Sequence, residues 1–187
     1  MAPESVQALE YLRTRAAKLG AAGLRERVRA AAQELENTVA AVSETEARAR
    51  PCAGKWTIAE VVDHIAQTQI RAAEELRHLL AGKRPPGPPV YEALRSGAAA
   101  WAPWAELIEG MRSANREMVA VLEGLSDETS LPERATVRSI LVVGRLRADG
   151  HSEPQTFAVE LGWKEYVLAQ RLHLIEHRNQ IKKLRSG

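Results

Sequence analysis

Trp56-Thr57-Ile58-Ala59-Glu60-Val61-Val62-Asp63-His64-Ile65 opens the stretch whose reading decides the fold. Thr57 followed three residues later by Glu60 is the capping-box pattern, in which each side chain takes the other residue's backbone amide at a helix start. Beyond it Ile58, Val61, Val62, Ile65, Ala72, Leu76, Leu79 and Leu80 recur at three- and four-residue steps. At about 100° per residue these positions form one apolar stripe, so an amphipathic helix is predicted over 57–81, closed by Gly82. After it, Lys83-Arg84-Pro85-Pro86-Gly87-Pro88-Pro89 cannot be helical, because proline lacks an amide proton and restricts the residue before it. That run is a stiff connector.

Working outward, residues 3–47 are rich in alanine, leucine, glutamate and arginine, with Gly20 and Gly23 as a break. A leading helix over 1–22 and a long helix over 24–47 follow. Pro103 suits a first helical turn, and Leu107, Met111, Met118 and Leu122 carry a helix over 103–124. From Thr136 the residues turn β-branched, Ala148–Pro154 supplies turn chemistry, and Thr156–Leu161 is extended again, which predicts a β-hairpin over 136–161. A last helix is expected over 164–184. The reading is a mainly α-helical bundle in a single domain, 1–187, with a leading helix and a small β-hairpin before the last helix.

Composition narrows the function. With 187 residues, 45% hydrophobic and 27% charged, the chain can bury one substantial core. Lysine plus arginine (26) nearly balance aspartate plus glutamate (24), and a net charge of +2 offers no field to draw the chain onto nucleic acid or anionic lipid. The single cysteine, Cys52, excludes an internal disulfide and four-cysteine metal sites, and a reducing cytoplasm fits it. No apolar run reaches the roughly 20 residues of a membrane span, and Glu4, Gln7 and Glu10 interrupt the place where a signal peptide would be apolar. A cytoplasmic protein without membrane or nucleic-acid partners is expected.

Three of the five histidines carry the chemistry. His173 and His177 are four apart in the last helix, so their Cβ atoms lie about 5–6 Å apart on one face, a spacing that suits two ligands of one ion. On the helical wheel they fall with Tyr166, Gln170, Ile181 and Leu184, on a stripe that faces the core, where an imidazole needs a partner or a cation. His64 sits about 60° beyond Val61, at the margin of its own helix's stripe, where a side chain faces either inward along a helix seam or outward. Three histidines from two helices, with a fourth position open, would make a catalytic type of divalent-metal site.

Gly54-Lys55-Trp56-Thr57-Ile58-Ala59-Glu60-Val61-Val62-Asp63-His64, then about 109 residues on His173-Leu174-Ile175-Glu176-His177-Arg178-Asn179-Gln180-Ile181, resembles the DinB-like (YfiT-type) family of metal-dependent enzymes. The resemblance covers roughly Leu24 to Leu184. It implies a four-helix bundle, often a homodimer, with a divalent ion held by the matching residues His64, His173 and His177. It also implies a small-molecule substrate. Family members with assigned activities include transferases that use low-molecular-weight thiols such as bacillithiol or mycothiol, and a mycothiol-dependent maleylpyruvate isomerase. The expected function is therefore a metal-dependent S-transferase, isomerase or hydrolase, with zinc or nickel first among the ions and iron or manganese also accepted by histidine. The leading helix and the hairpin depart from the family pattern.

The rival reading is a non-catalytic helical bundle that binds a metal or a ligand. His173–His177 also spells H-x-x-E-H, the inverted zinc-protease motif, but that chemistry needs an acidic ligand well downstream and the chain runs only to Gly187. Glu176 then reads as a surface carboxylate or a partner that orients a ligand imidazole. Trp56, Trp101 and Trp104 are candidates to wall a substrate pocket, with core packing as the alternative. His78 suits the last turn of its helix, His151 a solvent-facing turn, and Cys52 has no charges around it that would activate a thiol. Asp63, about 100° from His64 on the helix, is poorly placed to be a co-ligand. Leu168, Leu172 and Ile175 form a second apolar stripe on the last helix, to be covered by a second copy, the leading helix or the hairpin.

Overall fold

In the computed structural model, which describes residues 3–132, 135–146 and 152–186, the Thr57–Glu60 box forms reciprocally. The Glu60 amide donates to Thr57 Oγ1 at 3.1 Å and the Thr57 amide donates to Glu60 Oε2 at 2.7 Å. The helix it starts, α4 (Ile58–Leu80), follows α1 (Pro3–Ala17), α2 (Ala21–Ala40) and the short α3 (Glu44–Arg48). A single 3-10 turn (Ala98–Ala100) leads into α5 (Trp104–Glu123), and strands β1 (Val137–Leu146) and β2 (Ser152–Leu161) precede α6 (Trp163–Ser186).

The long helices α2, α4, α5 and α6 form the bundle: α4 packs on α5 and α6, and α2 packs on the same two. Its core has two parts. Leu24, Leu76, Leu79, Met118 and Leu122 fill one end together with Leu12 of α1 and Val137 and Leu161 of the hairpin. Leu35, Val61, Ile65, Met111, Leu174 and Ile181 fill the other. α1 lies on α6 and β1, outside the four-helix frame.

Several boundaries differ from the sequence reading: the leading helix, expected to reach 22, ends at Ala17, and the next helix begins at Ala21 rather than 24. The helix expected over 24–47 is interrupted at 41–43, because Ser43 and Glu46 form a second capping box: Glu46 Oε2 accepts the Ser43 amide at 2.8 Å and Ser43 Oγ accepts the Glu46 amide at 3.3 Å. Pro103 is the residue before α5 rather than its first helical residue, with an extended ψ of 145°. The expected break at Gly20 has a tertiary cause. The Asp127 carboxylate accepts the Ala21 amide and occupies the space that a Cβ on residue 20 would need.

The hairpin is antiparallel, from Val137 opposite Leu161 to Leu146 opposite Ser152. Glu153 and Pro154, read from sequence as turn residues, belong to β2, where Pro154 faces Gly144. A two-stranded sheet tolerates a proline because each strand has an unpaired edge. The turn itself and His151 lie outside the described residues. The second stripe of α6 is covered within the chain: Leu168 and Leu172 join the end of the core that contains Leu12 and the hairpin, and Ile175 packs at the other end. No helix among the described residues is long and apolar enough to cross a membrane.

Candidate metal centre

His64 stands two turns into α4, and His173 and His177 stand one turn apart on α6, where packing of the two helices brings them together. His173 Nε2 lies 3.1 Å from His64 Nε2 and 2.9 Å from His177 Nε2. One nitrogen from each of the three falls within 4.8 Å of the others. Three nitrogens bound tetrahedrally at 2.0–2.1 Å to one zinc ion lie about 3.3 Å apart, so the two distances from His173 differ from those of a ligand set by only a few tenths of an ångström.

Outer partners decide which way the lone pairs face. His64 Nδ1 meets the Leu94 carbonyl at 2.9 Å, and since a carbonyl only accepts, the proton is on Nδ1 and the Nε2 lone pair is turned inward. His177 Nδ1 donates in the same way to Gln180 Oε1 at 2.7 Å, again leaving Nε2 unprotonated and inward. His173 Nδ1 is buried and takes no partner among the described residues. His173 therefore has at most one Nε2 proton to offer to two facing lone pairs. A cation at their focus would satisfy all three, and this surplus of lone pairs is what fits the cluster to a metal ion.

Electrostatics keep the set ready to ligate. Burial pushes the pKa of His64 below the ordinary imidazole value against the opposing pull of the Leu94 carbonyl. Burial does the same at His177, where Gln180 opposes it. His173 is pushed well below, by burial first and then by the two neighbouring imidazoles. Neutral rings with free lone pairs result near neutral pH.

The rest of the expected site is rearranged. Trp56 is half-buried and meets the His64 ring edge-on at 5.2 Å between centroids, with the Arg95 guanidinium over its own face at 5.1 Å. Trp104 is not a pocket wall: it is buried in the core and donates its indole N–H to the Val42 carbonyl at 2.9 Å. Trp101 is 76% exposed and does not line the cavity at the histidines. Glu176 is exposed and bonds to none of the three imidazoles, so Leu94 and Gln180 hold the orienting role expected of it. Asp63, set aside as a ligand, instead ties down the connector: its carboxylate accepts the Ser96 hydroxyl at 2.6 Å and the Ser96 and Gly97 amides at 3.1 Å each. Sequence carried no sign of the Leu94 contact, whereas Gln180 stood in the quoted motif without a role.

The model of the DinB superfamily matches residues 27–147. The chain belongs to the DinB superfamily. No curated protein and no solved structure matches it. The superfamily match holds α4 with His64 and ends before β2 and α6, a shorter span than the resemblance read from the motifs. The grouping of His173 and His177 with His64 therefore rests on the geometry above.

Proposed function

We propose that this DinB-superfamily chain is a divalent-metal-dependent enzyme acting on a small molecule in the cytoplasm, as a thiol-dependent S-transferase, an isomerase or a hydrolase. The observation that carries this reading is the convergence of the Nε2 atoms of His64, His173 and His177, with Leu94 and Gln180 leaving the His64 and His177 lone pairs turned inward. His64, His173 and His177 would hold the ion, and zinc or nickel suits three neutral imidazoles, as do iron and manganese. When bound, a divalent ion supplies Lewis acidity that lowers the pKa of a water or a low-molecular-weight thiol presented to it.

The chain's own residues do the rest. Leu94 and Gln180 fix the tautomers of His64 and His177. A cavity of about 480 Å³ reaches the three histidines, giving a substrate the access that a closed structural site lacks. Assembly as a homodimer belongs to the proposal on family resemblance alone, and light scattering at micromolar concentration tests it.

The deciding experiment is elemental analysis and calorimetric titration with zinc and nickel on protein purified without a histidine tag. One ion per chain is expected, lost in His64→Ala, His173→Ala and His177→Ala and kept in His78→Ala. Absence of stoichiometric binding, or full binding by His173→Ala, overturns the reading.

A further inference from the structure

The cavity at the histidines has a second polar end. On α4, Thr68, Arg71 and Glu75 continue the line of His64, and on α6, Gln170 and Tyr166 continue the line of His173. Later residues of α4 meet earlier residues of α6, so the helices run antiparallel, and this second group extends from one to three turns away from the cluster. Seven residues separate Arg71 from His64, which at 1.5 Å per residue places its Cα about 10 Å along the helix.

Glu75 is fully engaged there. Its Oε1 accepts from Arg71 Nε at 2.7 Å and its Oε2 accepts from the Tyr166 hydroxyl at 2.5 Å. Tyr166 is 2% exposed, and burial together with the Glu75 charge raises its pKa well above the ordinary value, so the proton stays on the phenol and the bond to Glu75 holds. Arg71 is thus held from behind through Nε alone. Its two Nη groups take no partner among the described residues, and the side chain is 35% exposed on the cavity wall. Beside it, Thr68 Oγ1 and Gln170 Oε1 are buried without a partner among the described residues. A guanidinium pinned on one edge and unspent on the other is a planar fork that matches a carboxylate.

The remaining charges do not redirect this end. Arg138 on β1 and the carboxylates of Glu92 and Glu176 also line the cavity, but all three are exposed and screened by water. Leu12, Leu94, Ile140 and Leu172 also line the cavity and give it an apolar wall.

We infer that the cavity selects a small monocarboxylate with an apolar body, its carboxylate taken by the free Nη groups of Arg71 and its far end presented to His64, His173 and His177. What happens at the far end rests on the proposed metal-dependent function, whereas binding of the carboxylate does not need the ion. Calorimetry on chelator-treated protein with octanoate and 4-phenylbutyrate, each against its primary amide, tests the inference. The acids should bind at least about tenfold more tightly than the amides, as loss of a charge-assisted pair implies. Arg71→Met should remove the preference, Arg71→Lys should keep part of it, and His64→Ala should keep it all. Equal affinity for acid and amide in the unsubstituted protein, no binding of either acid, or a preference that survives Arg71→Met overturns the inference. The acid and amide comparison needs no variant, so it decides even if Arg71→Met fails to fold. A chain that binds zinc but shows no acid preference loses this inference and keeps the proposed function, and the reverse result does the opposite.

Discussion

His173 concentrates the physics of the site in one residue. It is the middle member of the cluster, its Nδ1 is buried without a partner among the described residues, and its pKa is pushed furthest down. That depression fixes the sign of a pH effect. Between about 6.5, where an unfolded histidine titrates, and the lower folded values, the unfolded chain binds more protons than the folded one. Metal-free protein should therefore show a flat urea midpoint from pH 8 to 7 and a falling one below about 6.5. His173→Ala should flatten that fall more than His64→Ala or His177→Ala. A midpoint that rises on acidification from pH 7 to 5.5 would contradict the burial of neutral rings. Among the carboxylates held low, Glu46 and Glu60 are paired with their capping partners and act only at more acidic pH.

Among the elements, the connector between α4 and α5 gains most from its surroundings. Its prolines exclude helix but do not choose a path, and the path is chosen by two adjacent residues of α4. His64 holds the Leu94 carbonyl, and Asp63 holds Ser96 and Gly97. Asp63 is 3% exposed and its carboxylate takes three hydrogen bonds from the connector, so its removal loses all three at once. Asp63→Ala should cost about 2 kcal/mol in urea unfolding and speed chymotryptic cleavage after Tyr91, which is already exposed. Unchanged cleavage at Tyr91 would show that the connector is held by something else. α4 and α5 themselves matched their predicted limits to within a residue, because capping and apolar period act over one or two turns.

At the scale of the whole molecule, the four-helix frame is closed at one end by parts added to it. Leu12 of α1 is 3% exposed and packs with Leu76, Leu79 and Tyr166 in the same part of the core as the hairpin residues Val137 and Leu161. The same leucine walls the cavity. Leu12→Ala should destabilise the fold by about 2–5 kcal/mol and weaken octanoate binding while leaving zinc stoichiometry intact, since the histidines are held by α4 and α6. Loss of zinc in this variant would mean that α1 positions the cluster as well as the cavity.

Local order was legible residue by residue. Thr57 and Glu60 announced α4, the prolines announced the connector, the β-branched run announced the hairpin, and His173 and His177 showed their shared face through a spacing of four. All of these signals act within a few residues of backbone, where helical or extended geometry alone sets which side chains are neighbours. What packing decided lies farther apart in the chain: His64 against His173, the Leu94 carbonyl that sets the His64 tautomer, Asp127 against Gly20, and Tyr166 against Glu75. Such pairs leave no periodic trace, because they depend on the angle and offset at which two finished helices or loops meet. The sequence by itself determined that the last helix would carry a histidine pair on its core-facing stripe, and only the tertiary structure decided that His64 would turn inward to meet that pair at a cavity.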